Sequence, residues 1–283
     1  MARPFDLVAL DLDGTILDLY HHRPISDAVA AAIDAVQSAG IPVTIATGRT
    51  LDYVREHIAH LGITTPVVTT QGAIIGDPVS GAILQQTAIP LPTARRAAAW
   101  VDDRDLITAF YFLNDDGRIR ILQNRSGDEV SFYDHVFGHP RSLLARFAPL
   151  LSAEDARPPL KFIVIQPSDD NGDGLVEELH HAFHPELTIT RTHPRLVEGT
   201  APGIDKGQGL LRLCAHLGIE PSRVLAMGDS DNDIPMLEVA GYAVAMGNAS
   251  PGVLAVADYN APSVEEDGAA HALRQLVLEA LRD

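Results

Sequence analysis

Phe5-Asp6-Leu7-Val8-Ala9-Leu10-Asp11-Leu12-Asp13-Gly14-Thr15 decides how the rest of the chain is read. The largely apolar run 5–10 has the length and content of a buried strand. Asp11 and Asp13 leave its carboxyl end, and a Gly14-Thr15 turn follows at once. An unpaired buried carboxylate costs several kcal/mol. Two of them at a strand end are therefore placed to hold a metal, to attack an electrophile, or both.

Outward from this stretch, strand and helix alternate. Ser26-Asp27 is an N-cap for an Ala-rich helix over 28–39 that closes at Gly40. Residues 42–46 read as a strand, 51–61 as a helix closing at Gly62, and 66–70 as a third strand. This βαβαβ order predicts a parallel sheet with right-handed crossovers. The pattern resumes late in the chain, with helices over 205–217, 234–240 and 268–281 and strands over 224–227 and 242–245. The middle differs: strand-like stretches at 106–113, 119–123, 160–165 and 187–190 are interleaved with helices and punctuated by prolines. The expected fold is α/β, a core domain of residues 1–82 and 192–283 interrupted by an α+β domain of 83–191. With 283 residues the chain exceeds what one core usually organises.

Three further signals fall at equivalent places in the α/β part. Thr47-Gly48-Arg49 follows the second strand, Lys206 opens a helix, and Gly228-Asp229-Ser230-Asp231-Asn232-Asp233 follows the strand at 224–227. Ligands of open parallel sheets sit beyond the carboxyl ends of the strands at the switch point. Asp11, Thr47 and Asp229 are expected to converge there. Asp11, Asp13, Asp229 and Asp233 would supply hard oxygens suited to Mg²⁺, while Thr47, Lys206 and N–H groups near Gly48 would supply donors for an anion. Two like charges ~4 Å apart repel by about 4 kcal/mol at an effective dielectric of 20. Several carboxylates facing a phosphate therefore call for a divalent cation and a local ammonium. Only two of the 21 basic residues are lysines, Lys161 and Lys206. A compact ammonium suits a tight phosphate site better than a guanidinium.

Together these four motifs resemble those of the haloacid-dehalogenase-like superfamily. The run Gly228–Leu237 with Ala240-Gly241-Tyr242-Ala243-Val244-Ala245-Met246-Gly247-Asn248-Ala249 looks like its Cof-like branch of metabolite phosphatases. The resemblance covers essentially the whole chain. It implies a Rossmann-like core with a cap inserted between the second and third motifs, where about 157 residues separate Arg49 from Lys206. It implies Asp11 as the nucleophile, forming an aspartyl-phosphate, and Asp13 as the general acid and base. Mg²⁺ would be held by the Asp11 side chain, the Asp13 carbonyl and Asp229, with Asp233 in an outer position. Thr47 and Lys206 would grip the phosphoryl group, and Gly48, Arg49 and Asn232 would contact phosphate or substrate. Two departures bear on the substrate: Gln71-Gly72 stands where the branch usually has Asn-Gly, and Val264 replaces an Asn before Glu265-Glu266-Asp267-Gly268.

Other signals have plainer readings. Asp169, Asn171, Asp173 and Gly174 mimic the opening of a calcium loop, but the twelfth position is His180, which offers no bidentate carboxylate. The histidines at 57, 60, 180, 181 and 184 are read as helix-face and solvent residues, and Cys214 as a buried small apolar residue. Lys161 begins a strand of the middle segment, in either a structural or a substrate-selecting role. A net charge of -17 argues against nucleic acid as a partner, yet surface charge is screened within roughly 8 Å and leaves a small phosphorylated substrate open. No apolar run approaches ~20 residues, so no membrane span is expected. One cysteine suits a reducing compartment, and a cytoplasmic protein is expected. The leading expectation is a Mg²⁺-dependent phosphatase of small phosphorylated metabolites, such as sugar phosphates or phosphorylated cofactors. A phosphotransferase or phosphomutase and a non-catalytic phosphometabolite-binding regulator are the alternatives. Oligomeric state is not legible.

Overall fold

Alternation along the strand Leu7–Leu10 sorts its side chains into two layers. Val8 and Leu10 share a cluster with Val29, Ile33 and Val36 of the helix Asp27–Ser38 and with Ala269 and Leu273 near the C-terminus. Leu7 and Ala9 pack instead with Leu210, Leu213 and Cys214 of the helix Lys206–Leu217, and with Met236. Successive strand residues point to opposite faces, so a strand covered by helices on both sides is apolar throughout.

The computed structural model describes residues 3–18, 23–126, 133, 141–166 and 173–281. They divide into two compact units, Met1–Gln85 with Asp205–Asp283, and Gln86–Ile204.

In the first unit, five parallel strands lie in the order Tyr259–Asn260, Tyr242–Ala245, Val224–Gly228, Leu7–Leu10, Val43–Ile45. A parallel bridge from Ala46 to Val68 sets the strand Val67–Thr69 beside this sheet. The chain leaves Leu7–Leu10 towards one edge and returns from residue 224 towards the other, so the switch point lies between Leu7–Leu10 and Val224–Gly228. Register pairs Leu10 with Met227, which sets Asp11 and the loop after Gly228 side by side. The helices begin as the sequence predicts: the Ser26 hydroxyl accepts from Val29 N–H at 3.1 Å, and the Asp205 carboxylate accepts from Gln208 N–H at 2.7 Å. Val67–Thr69 also pairs with Ile74–Gly76 in a small antiparallel sheet that includes Ile83–Gln86, a feature the sequence reading did not contain.

The second unit is an α+β layer, as expected. Its six-stranded sheet runs Thr188–His193, Leu196–Thr200, Lys161–Ile165, Thr108–Leu113, Ile119–Gln123, Ser142–Leu143, antiparallel except for the last pair. Phe110, Phe162 and Val164 of this sheet pack with Ala94, Ala97 and Val101 of the helix Leu91–Asp103 and with Leu179 and Phe183 of the helix Asp173–Phe183. The unit ends at Ile204 rather than at residue 191, because Leu196–Thr200 is inserted between two of its own strands. Of the calcium-loop mimic, Asp169 and Asn171 lie outside the described residues. No described helix is long and apolar enough to cross a membrane.

Candidate active site

Asp11 is the first residue beyond its strand, held in register by its N–H donating to Met227 O at 3.0 Å. Its side chain is buried and its Oδ1 accepts from Lys206 Nζ at 2.6 Å. The same ammonium donates to Asp233 Oδ1 at 2.6 Å. Asp233 is oriented by its own turn, its Oδ2 accepting from the N–H groups of Asp229 and Ser230 at 3.0 Å each. One oxygen from each of Asp11, Asp229 and Asp233 lies within 4.8 Å of the others, the one such potential metal-binding group among the described residues.

Electrostatics follow from this crowding. Burial, then the Asp233 charge, pushes the Asp11 carboxyl well above the usual carboxylate range, with Lys206 opposing. Burial and Asp233 likewise push Asp229 up to about 7, against Lys206 and a hydrogen bond from Ser230. Burial alone would lower the Lys206 ammonium, but Asp11 and Asp233 outweigh it and hold it charged. One ammonium against three carboxylates leaves negative charge in excess. The donor set is hard oxygen and the excess is negative, so these residues fit a divalent cation such as Mg²⁺.

The turn after Asp11 closes on the second strand loop. Gly14 has φ +85°, and a Cβ there would lie 2.4 Å from Asp229 Oδ2. Only glycine combines that backbone with that approach. Thr15 Oγ1 donates to Asp229 Oδ1 at 3.4 Å, and Ser230 Oγ to Oδ2 at 3.2 Å. Asn248 was not singled out in the sequence, yet its Nδ2 donates to Gly14 O at 2.9 Å and to Asp229 Oδ2 at 3.3 Å. Its Oδ1 accepts from Val264 N–H at 2.9 Å. Position 264 thus meets the site's support through backbone, a contact that any residue but proline supplies. Thr15 and Asn248 sit inside the quoted motifs, but nothing local distinguishes a polar residue that braces a carboxylate from one that caps a turn.

Asp13 and Arg49 form a second focus. Arg49 is 3% exposed, and its Nε and Nη2 donate to the Asp13 carboxylate at 2.6 and 3.0 Å, with the guanidinium 4.4 Å from the centre of the Tyr53 ring. The guanidinium expected to reach phosphate or substrate is therefore engaged with Asp13, in the forked geometry that makes Arg–carboxylate pairs strong. Thr47 is buried after Val43–Ile45, its Oγ1 accepting from Arg49 N–H at 3.2 Å. Gly48 lies under the Gln71 side chain, whose Oε1 accepts from Asn232 Nδ2 at 3.2 Å. Lys161 is in the second unit, buried, its Nζ donating to Glu198 Oε2 at 2.5 Å.

A parallel sheet whose switch point carries a lysine shared by two aspartates, with a third aspartate alongside, defines a class of hydrolase. Sequence comparison finds a match to the haloacid dehalogenase-like hydrolases over residues 8–273, and the chain belongs to that family. Among its relatives, the 5-amino-6-(5-phospho-D-ribitylamino)uracil phosphatase YcsE of Bacillus subtilis is 32% identical, over 96% of each chain. The phosphoglycolate phosphatase of Methanopyrus kandleri is 30% identical over 96% of this chain and 97% of its own. Among solved structures, a haloacid dehalogenase-like hydrolase from B. subtilis superposes with a TM-score of 0.85 at 26% identity, over 96% of this chain and all of the other. The resemblance read from the motifs is borne out.

Proposed function

We propose that this protein is a Mg²⁺-dependent phosphatase that hydrolyses small phosphorylated metabolites through an aspartyl-phosphate on Asp11. The observation that carries it is the Asp11 carboxylate set against Lys206, Asp229 and Asp233 at the switch point. The phosphatases of small phosphorylated molecules among its relatives support the reading. A reducing, cytoplasmic setting suits its single buried cysteine.

Asp11 attacks phosphorus in line, and the new P–O bond forms as the ester P–O bond breaks. Asp13 gives its proton to the leaving alcohol oxygen. It then takes a proton from the water whose attack on phosphorus releases phosphate and restores Asp11. Arg49 holds Asp13 as the carboxylate left once its proton has gone to the leaving oxygen, and so turns it toward the incoming water. Lys206 and the Thr47 hydroxyl hold phosphoryl oxygens, with the Gly48 backbone beside them. Asp11, Asp229 and the Asp13 carbonyl would hold Mg²⁺, with Asp233 behind them. Bound there, the cation supplies offset for the carboxylate charge and stabilisation of charge on the transferring phosphoryl oxygens.

The test is phosphate release from p-nitrophenyl phosphate. It should require Mg²⁺, equal the loss of ester, and fall by at least about 10³-fold in Asp11→Asn. Equal rates for wild type and Asp11→Asn would defeat the reading. Ester loss in excess of released phosphate would favour transfer to an acceptor alcohol.

A further inference from the structure

Thr70, Gln71 and Gly72 have φ of +56°, +57° and +87° in succession. Glycine takes such a backbone without cost, whereas a β-branched Thr and a Gln are strained in it. Strain of this kind persists only where the surroundings hold it, and it gathers at functional sites. Here the surroundings are the site's own loops. Thr70 N–H donates to Arg49 O at 2.8 Å and Gln71 N–H to Thr47 O at 3.2 Å, while Arg212 donates to Gly72 O.

The Gln71 side chain is thereby directed across Gly48, where a Cβ would come within 2.5 Å of Nε2. Its Oε1 accepts from Asn232 Nδ2 at 3.2 Å. Asn232 is only 7% exposed. With its nitrogen committed to Gln71, its Oδ1 is buried and meets no donor among the described residues. Buried polar atoms are nearly always satisfied, and an unsatisfied one calls for a reason. Asn232 stands in the same turn as Asp233, the partner of Lys206. The oxygens of a phosphoryl dianion carry no hydrogen to offer a carbonyl oxygen. A hydroxyl on the alcohol part of an ester does.

Resting on the phosphatase reading above, we propose that Gln71 is a positioning residue. It holds Asn232 with its amide oxygen turned to a hydroxyl of the substrate, so that polyol and sugar phosphates are favoured over esters that lack one.

The experiment compares ribose 5-phosphate with p-nitrophenyl phosphate in wild type, Gln71→Met and Gln71→Asn. Methionine keeps the length of Gln71 but not its acceptor. Asparagine keeps an amide too short to reach, and tolerates the left-handed backbone better. In both variants the ratio of kcat/KM for the sugar phosphate to that for the aryl ester should fall about tenfold, the loss of one buried hydrogen bond, and it should appear in the KM of the sugar phosphate. Gln71→Asn should melt no lower than wild type, an outcome that a purely structural role would not give. An unchanged ratio, or an equal loss on both esters, overturns the proposal. Failure of the wild type to hydrolyse either ester overturns the phosphatase reading and this proposal with it, a result distinct from an unchanged ratio.

Discussion

Asp229 shows how much of this site is made by neighbours that do no chemistry. Its carboxylate is contacted by Thr15, Ser230 and Asn248 and overlain by Gly14. A methyl at position 14 would meet Asp229 Oδ2 at 2.4 Å in a backbone that already disfavours it. Gly14→Ala is therefore expected to displace the carboxylate, lowering kcat by about 10²-fold and stability by about 1–3 kcal/mol. Steady-state kinetics and denaturant midpoints would check both, and a variant with wild-type kcat would contradict the account. Asp11, Asp229 and Lys206 were legible because charges at strand and helix ends stand out against an apolar pattern. Gln71 stood out as a departure bearing on the substrate and Asn248 only within a quoted motif, but what either touches is decided by segments far off in sequence. Arg49 was visible, but its partner was not: a sequence shows a guanidinium, and only folding sets it on Asp13.

At the scale of elements, the strands Lys161–Ile165 and Leu196–Thr200 carry a buried ion pair inside their sheet. Register sets Glu198 opposite Ile163 and Lys161 opposite Thr200, so the two charged side chains are diagonal neighbours on one face. Thr192 donates to the second Glu198 oxygen at 2.9 Å, and the Lys161 ammonium lies 4.8 Å from the centre of the Tyr111 ring. Breaking such a pair from one side strands a buried charge, while replacing both partners by apolar groups is often neutral or better. Lys161→Met alone should cost about 3–5 kcal/mol, and the double variant Lys161→Met with Glu198→Leu should recover most of it. Urea unfolding of the three proteins measures the difference; an additive double variant would mean that the pair is not coupled. This pairing also explains why residues 196–200 do not read as a strand in the sequence. Glu198 and Gly199 interrupt the apolar run, and the partner that makes the acid tolerable belongs to another strand.

For the whole molecule, the carboxylate cluster couples stability to pH, and on the proposed reading to metal as well. The Asp229 carboxyl, ordinarily near 3.8, is held up to about 7 by burial and by Asp233 in the metal-free protein. Between those values the folded chain keeps a proton that the unfolded chain has lost. The Asp229 contribution to stability without metal therefore declines as pH rises from about 4 to about 7. A ligand that binds only the folded state stabilises it in proportion to its occupancy, and carboxylates bind a cation only when ionised. Addition of Mg²⁺ should then raise the melting temperature little at pH 5 and by about 5 °C at pH 8. Thermal melts in EDTA and in Mg²⁺ at the two values would show it, and an equal shift at both would sink this linkage. The alternation of strands and helices already announced the parallel sheet and the inserted α+β unit. Which strands are neighbours was recoverable only by the switch-point rule, because Leu7–Leu10 takes one neighbour from each half of the chain.

That last pairing has a bearing on synthesis. Leu7–Leu10 leaves the ribosome more than 200 residues before one of its two neighbours, Val224–Gly228. The six described strands of the unit from Gln86 to Ile204 that form its sheet pair only with one another. A nascent chain that stops short of residue 224 has Asp11 but neither Asp229 nor Asp233. On the phosphatase reading, such a fragment lacks two of the three carboxylates that would complete the metal site.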